Sequence, residues 1–317
     1  MERLCRLCRR NRFPKVLDSA AAGLPLRKAR LRVSTLFWRR PWLKAAALLA
    51  LPLAAFALVY LGSLAALFVS AFWQINDFTA KVEHIWTFDN FSTLIHQSVY
   101  RRIALRTIGL AAAVTLTDAV LAFPLAYFMA RLAGGKTRAL LFVLVLMPLW
   151  SSYLVRIYAW RTILAHDGAL NWSLNKVGLP NVGLLYSNWG MWIVFSYVWL
   201  PFMILPVYAA LERIPDNFLE ASQDLGARGW RTLRSVIMPL ALPGLVAGSI
   251  FTFSLTLGDF ITPLLVGGSS SSFIGNVVEE QVGQPNVPFA AAFATVPVVV
   301  MAIYLFIARR LGAFEAI

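Results

Sequence analysis

The sequence has few of the residues on which catalysis and metal binding depend. Its 317 residues include two cysteines and three histidines, and only 14% of them are charged. Cys5 and Cys8 form one C-x-x-C pair without the second ligand pair of a zinc site, and we interpret them as free intracellular thiols. The histidines (His84, His96 and His166) are scattered, with no paired nucleophile. We therefore predict a chain that is not an enzyme and has neither a cofactor nor a metal.

Charged residues are scarce because long apolar runs make up most of the chain. Hydrophobic residues are 59% of the sequence, and the mean hydropathy is +0.68. A helix that crosses a hydrocarbon core of about 30 Å needs about 20 apolar residues. Six runs reach that length: 45–73, 103–130, 139–158, 189–211, 241–267 and 289–308. The sequence thus predicts an all-α integral membrane protein with six transmembrane helices.

Acidic residues are also few, 15 against 29 Lys and Arg, which gives a net charge of +14. The basic residues are unevenly placed: 22 fall on one side of the predicted spans, and 13 of these precede Ala45. Basic loops stay in the cytoplasm, so we predict that both termini are inside. The charge then reflects topology and does not indicate nucleic acid. The predicted organisation is a basic tail at 1–44, a transmembrane domain at 45–310 and a short tail at 311–317.

Two acidic residues fall inside the spans. Asp118 lies about 21 Å into the second span at 1.5 Å per residue, on a face shared with Thr107, Ala111 and Thr115. Asp259 belongs to a stripe in the fifth span that also carries Gly248, Thr252, Thr256 and Thr262. Gly258 and Pro263 favour a break in the helix there. The stripe is either part of a translocation path or a surface for close helix packing.

The longest polar segment between two spans is 212–240. It predicts a first helix at 217–225 capped by Asp216, a turn at Gly226, and a second helix at 228–236 that Pro239 stops. Such an element suits contact with a soluble partner at the membrane surface. The nearby Gly134-Gly135-Lys136-Thr137 is not a phosphate loop, because position 130 is alanine and no strand precedes it.

This segment resembles the EAA loop of ABC importer permeases. Glu220, Ala221 and Ser222 stand for E-A-A, Gly226 follows at the expected offset, and Pro239 ends the motif. The runs at 148–160 and 257–268 are similar to those of the PotB/PotH-like group of spermidine/putrescine permeases. The likeness covers about 60–310.

The resemblance implies a type I (MetI-like) importer permease in the bacterial inner membrane. It implies a second homologous permease subunit, two cytoplasmic ABC ATPase subunits and a periplasmic or extracellular substrate-binding protein as partners. Glu220, Ala221, Gly226 and Pro239 would couple the spans to an ATPase. Asp118, Thr252, Thr256 and Asp259 are the candidate path residues for a polyamine or related cation.

Three alternatives stay open at this point. The same fold serves importers of opines, phosphonates or ferric iron, and a permease sequence separates these poorly. An ion-coupled secondary transporter would show more spans and inverted repeats. A passive channel subunit would not need ATP.

Overall fold

The computed structural model describes residues 41–76, 79, 81–268 and 271–310. Most of the predicted basic tail, with Cys5 and Cys8, and the tail at 311–317 lie outside the described residues. The chain divides into two units, Met1–Ala65 and Ala66–Ile317.

The described part of the first unit is helical throughout. Helix α1 covers Pro41–Ala55, a π-helical turn covers Phe56–Leu61, and α2 covers Gly62–Ser70 and so continues into the second unit. Two strands follow, β1 (Gln74–Ile75) and β2 (Val82–Glu83), which pair antiparallel with Gln74 opposite Glu83.

The rest of the second unit is helical. In chain order the helices are α3 (Asp89–His96), α4 (Ser98–Tyr127), α5 (Gly135–Trp150), α6 (Tyr153–Leu164), α7 (Ala169–Lys176), α8 (Asn188–Glu212), α9 (Asp216–Asp224), α10 (Gly229–Thr232), α11 (Met238–Gly258), α12 (Ile274–Gly283) and α13 (Val287–Arg310). Three more π-helical turns cover Phe128–Leu132, Leu233–Ile237 and Pro263–Gly267.

Five stretches of the described chain are long and apolar enough to cross a membrane as single helices: Leu48–Ser70, Ser98–Leu132, Asn188–Glu212, Gly229–Gly258 and Val287–Arg310. They correspond to five of the six predicted spans. The remaining prediction, 139–158, falls on a bent pair of stretches, Gly135–Trp150 and Tyr153–Lys176, which meet at 94° and form either a broken span or a re-entrant loop. The sequence places a kink at Pro148, but Pro148 lies inside α5 and the break comes at Ser151 and Ser152, whose backbones are extended.

The predicted break in the fifth span is confirmed. Helix α11 ends at Gly258, Asp259 has an extended backbone, and a separate turn at Pro263–Gly267 completes the stretch. The predicted stop at Pro239 is wrong, because the helix runs on from Gly229 to Gly258. The π-helical turn just before Pro239 shifts the backbone hydrogen bonds to residues five apart, which accommodates a residue without an N–H.

The core of the second unit is formed by three helices that pack against one another: α4, α8 and α11. Small residues allow α8 and α11 to approach closely. A Cβ added at Gly244 would lie 2.6 Å from the Pro206 carbonyl oxygen, and one at Gly248 would lie 2.7 Å from the Met203 sulfur. Neither position has room for a larger side chain, as is common where helices meet inside a membrane.

Candidate functional site

The segment that follows α8 folds as two short helices joined by a glycine turn. Helix α9 ends at Asp224, and Gly226 then has φ +77°, the left-handed conformation that glycine adopts without strain. The Gly226 N–H donates to the Gln223 carbonyl at 2.8 Å, and the Ala227 N–H donates to the Ser222 carbonyl at 3.0 Å. These two bonds satisfy carbonyls that the helix end leaves open. The predicted turn at Gly226 is confirmed.

The predicted cap at Asp216 is wrong. The residue in the N-cap position is Pro215, and the Asp216 side chain makes no capping bond. Its carboxylate instead pairs with Arg131, at 2.7 Å between Nη1 and Oδ1. A basic partner at this distance draws the carboxylate away from the helix N–H groups, which sequence reading alone does not reveal.

Arg131 is the residue that fixes this segment to the bundle. It lies at the end of the second span, with its side chain only 12% exposed. Its Nη2 donates to the Leu211 carbonyl at 2.8 Å and to the Ile214 carbonyl, so it also covers the carbonyls at the end of α8. Arg138 adds a longer ion pair with Glu212, at 3.6 Å. Neither arginine was predicted to have this role.

A buried hydroxyl pair joins the two short helices. Ser222 Oγ on α9 and Thr232 Oγ1 on α10 lie 3.0 Å apart, and both residues are buried. Ser222 occupies the position of the second alanine of the E-A-A pattern. The hydroxyl that distinguishes it from alanine is therefore used to hold the angle between the helices.

Much of the surface of this segment is exposed and accessible to a partner. Three of the four predicted coupling residues, Glu220, Ala221 and Gly226, are exposed on this segment, and the fourth, Pro239, is exposed near the start of α11. Large apolar side chains lie exposed beside them: Leu225 is 89% and Trp230 is 72% accessible. We call α9, the Gly226 turn and α10 the coupling segment. Exposed apolar side chains of this kind are typical of the core of a protein contact surface, and the exposed charged residues around them (Glu220, Asp224, Arg228 and Arg231) suit its polar rim.

The predicted polar faces of α4 and α11 are buried. Thr107, Ala111, Thr115 and Asp118 all lie inside the second unit, as do Thr252 and Thr256. The threonine hydroxyls donate to carbonyls of their own helices, Thr252 to Gly248 at 2.7 Å and Thr256 to Thr252 at 2.8 Å. With α8 against them, these faces are closed in this structure.

Asp259 is held by several donors at the break in the fifth span. Its Oδ1 accepts the Ile261 N–H at 2.8 Å, which caps the turn that follows, and its Oδ2 accepts the Thr262 hydroxyl at 2.8 Å. Tyr153, the first residue after the break in the third span, also donates its hydroxyl to Oδ2. Trp199 stacks on the Tyr153 ring with centroids 5.5 Å apart. Asp259 thus links the two broken spans.

Asp118 differs from Asp259 because its carboxylate has no partner. The residue is fully buried, and neither oxygen accepts a hydrogen bond from any described residue. Ser196 on α8 faces it, but the geometry does not form a hydrogen bond. Among the described residues, no group of three His, Cys, Asp or Glu side chains could hold a metal ion.

Comparison with known proteins supplies independent information. Residues 122–313 match the family model described as binding-protein-dependent transport system inner membrane component. The chain is 48% identical to the inner membrane ABC transporter permease protein YdcU of Escherichia coli K12, over 92% of this chain and 97% of that protein. It is 33% identical to the spermidine/putrescine transport system permease protein PotB of Salmonella typhimurium, over 74% of this chain and 82% of that protein.

Solved structures share the fold. A bacterial ABC transporter that imports the acidic polysaccharide alginate matches with a TM-score of 0.67 at 20% identity, over 88% of this chain and 99% of the matched chain. A chain of the MetNI methionine ABC transporter matches with a TM-score of 0.51 at 18% identity, over 68% and 95%. These matches confirm the predicted type I permease fold.

Proposed function

Because the chain belongs to the family of binding-protein-dependent transport system inner membrane components, we propose that it is one translocating subunit of an ATP-driven polyamine importer. It is a non-catalytic, multi-pass protein of the bacterial inner membrane. The solute is spermidine, putrescine or a related small organic cation. The observation that carries the solute class is the 33% identity to PotB over most of the chain. Two buried carboxylates within the spans, Asp118 and Asp259, agree with a cationic solute.

The partners in this proposal are a second homologous permease subunit, two cytoplasmic ATPase subunits and a substrate-binding protein on the outer side. The coupling segment would seat on an ATPase subunit, with Glu220 meeting a basic residue there. Its exposed apolar side chains and its fixed turn at Gly226 support this role. Arg131 and the Ser222–Thr232 pair would transmit movement of the segment to the spans, because they join it to the bundle and brace its two helices.

The translocation path would follow the faces of α4 and α11 that carry Asp118, Thr252, Thr256 and Asp259. These faces are closed against α8 in this structure, so the path requires α8 to separate from them. The Asp259→Asn variant removes the charge and keeps the oxygen that caps the following turn, while its amide group replaces the Oδ2 acceptor of the Tyr153 and Thr262 hydroxyls. We expect normal assembly with reduced uptake. Uptake equal to that of the unchanged protein would remove Asp259 from the path and leave it a capping role.

The function itself is tested by ATP-dependent uptake of labelled putrescine and spermidine into vesicles that contain the complete importer. Saturable uptake that the Glu220→Ala variant abolishes would support both the solute class and the coupling segment. If no polyamine enters while the loaded binding protein still stimulates ATP hydrolysis, the chain is an importer permease for another solute.

A further inference from the structure

Three buried polar side chains lie without partners where α4 meets α8. Both carboxylate oxygens of Asp118, the hydroxyl of Ser196 and the indole nitrogen of Trp199 have no hydrogen bond to any described residue. The three residues are 0%, 8% and 9% exposed. Ser196 faces Asp118, and Trp199 follows it by three residues, on nearly the same side of α8. These buried polar groups therefore lack hydrogen-bond partners among the described residues.

An unpaired carboxylate inside a membrane protein costs several kcal/mol, so such a group generally has a function and a partner. The ion pairs of the described residues do not include Asp118. Arg106, the nearest basic residue earlier on α4, is about 18 Å away at 1.5 Å per residue. The described residues therefore supply no cationic partner for Asp118.

The hydrogen-bonding groups of Asp118 and Ser196 determine which ligand group can bind to them. Asp118 offers two acceptor oxygens and a negative charge, and Ser196 offers a third oxygen beside them. A protonated primary amine carries one positive charge and three N–H donors, which matches this set. Charge-assisted hydrogen bonds of this kind are about twice as strong as neutral ones.

Two prolines follow Ser196 within helix α8. Pro201 and Pro206 both lie inside this helix. Proline has no N–H, so the carbonyl of Tyr197, four residues before Pro201, receives no helical hydrogen bond from it. Interrupted helices in membranes are tolerated where neighbouring groups or water satisfy the freed carbonyls.

We propose that Asp118 and Ser196 form an internal binding site for one protonated amino group of the transported solute. The inference rests on the proposed function and adds to it the solute group that binds, the position near the middle of the bilayer and the contribution of Ser196. Asp259 differs from this site because its carboxylate already accepts hydrogen bonds from four donor groups of the chain. The vacant carboxylate of Asp118 receives the amine when α8 moves away from α4.

The test compares three variants in the complete reconstituted importer. Asp118→Asn removes the charge at constant shape, Ser196→Ala removes the hydroxyl, and Ser254→Ala serves as a matched control on the side of α11 opposite Thr252 and Thr256. The Ser254 hydroxyl donates to its own helix, to the Phe251 carbonyl at 3.1 Å. We measure putrescine uptake, and also the shift in thermal midpoint that putrescine produces, with choline at equal ionic strength as the reference.

We expect kcat/KM for putrescine uptake to fall about tenfold or more in Asp118→Asn and about threefold in Ser196→Ala, since a charged hydrogen bond is stronger than a neutral one. The putrescine-dependent thermal shift should disappear in Asp118→Asn, because the variant has no charge for the amine to pair with. Ser254→Ala should match the unchanged protein in both measurements.

The outcomes separate the two proposals. If the unchanged importer transports putrescine and Asp118→Asn does so equally well, this site is overturned while the proposed function stands. A lower midpoint in Asp118→Asn, with an undiminished putrescine shift, would also overturn it and give Asp118 a packing role. If the unchanged importer takes up no polyamine, the proposed function fails and the amine site fails with it.

Discussion

Replacing Arg131 should affect the coupling segment much more than replacing Asp216, although the two residues form one ion pair. Asp216 Oδ1 lies 2.7 Å from Arg131 Nη1, but the Asp216 side chain is 78% exposed and that of Arg131 only 12%. An exposed ion pair contributes about 0–1 kcal/mol. Asp216→Asn should therefore change the coupling segment little.

Arg131→Ala removes more than the ion pair. It also removes the donors to the Leu211 and Ile214 carbonyls at the end of α8. Hydrogen bonds from a charged group contribute about 1.5–3 kcal/mol each, so the segment should lose about 3–6 kcal/mol of local stability. That is enough to loosen the start of α9, while α10 stays joined to the bundle because it continues into α11.

The assay is ATP hydrolysis stimulated by the loaded binding protein, measured together with uptake in reconstituted vesicles. Arg131→Ala should assemble in the membrane, lose uptake and lose the stimulation, and become sensitive to protease near Ile214. Asp216→Asn should keep more than about half of both activities. Equal behaviour of the two variants, in either direction, would refute the argument that the carbonyl bonds of Arg131 carry the connection.

Three further variants test the coupling segment. Glu220→Ala should assemble normally but lose stimulated ATP hydrolysis, and normal stimulation would contradict the contact with the ATPase. Gly226→Ala should cost about 1–2 kcal/mol and weaken coupling because φ is positive there, whereas Gly229→Ala, which has open space and no positive φ, should be harmless. Ser222→Val should impair coupling more than Ser222→Ala, because its branched side chain also crowds the buried contact with Thr232; uptake assays in which the two are equal would exclude that contact.

The sequence predicts the membrane architecture well because hydropathy is a property of each run taken alone. Five of the six predicted spans correspond to helices long and apolar enough to cross a membrane. The left-handed turn at Gly226 and the break near Asp259 were also predictable, since glycine and proline restrict or free the backbone locally. The buried face of α4 followed from helical spacing, which places Thr107, Thr115 and Asp118 on one side.

The features that sequence reading missed depend on residues far apart in the chain. Arg131 and Asp216 are 85 positions apart, and Tyr153 and Asp259 are 106 apart. Their pairing depends on which helices become neighbours, and no local pattern contains that information. The errors at Asp216 and Pro239 have the same origin: a distant arginine took the carboxylate, and a preceding π-helical turn accommodated the proline.

The sequence by itself determined that this chain crosses the membrane, where it turns, and which family it resembles, because apolar length, glycine and proline act locally. Only the tertiary structure decided which of the two membrane carboxylates is satisfied. Asp259 is filled by Tyr153, Thr262 and backbone N–H groups, while Asp118 meets an α8 face that leaves it unpaired. The spacing of residues along a helix determines which of them share a face. Which groups of other helices contact that face depends on tertiary packing.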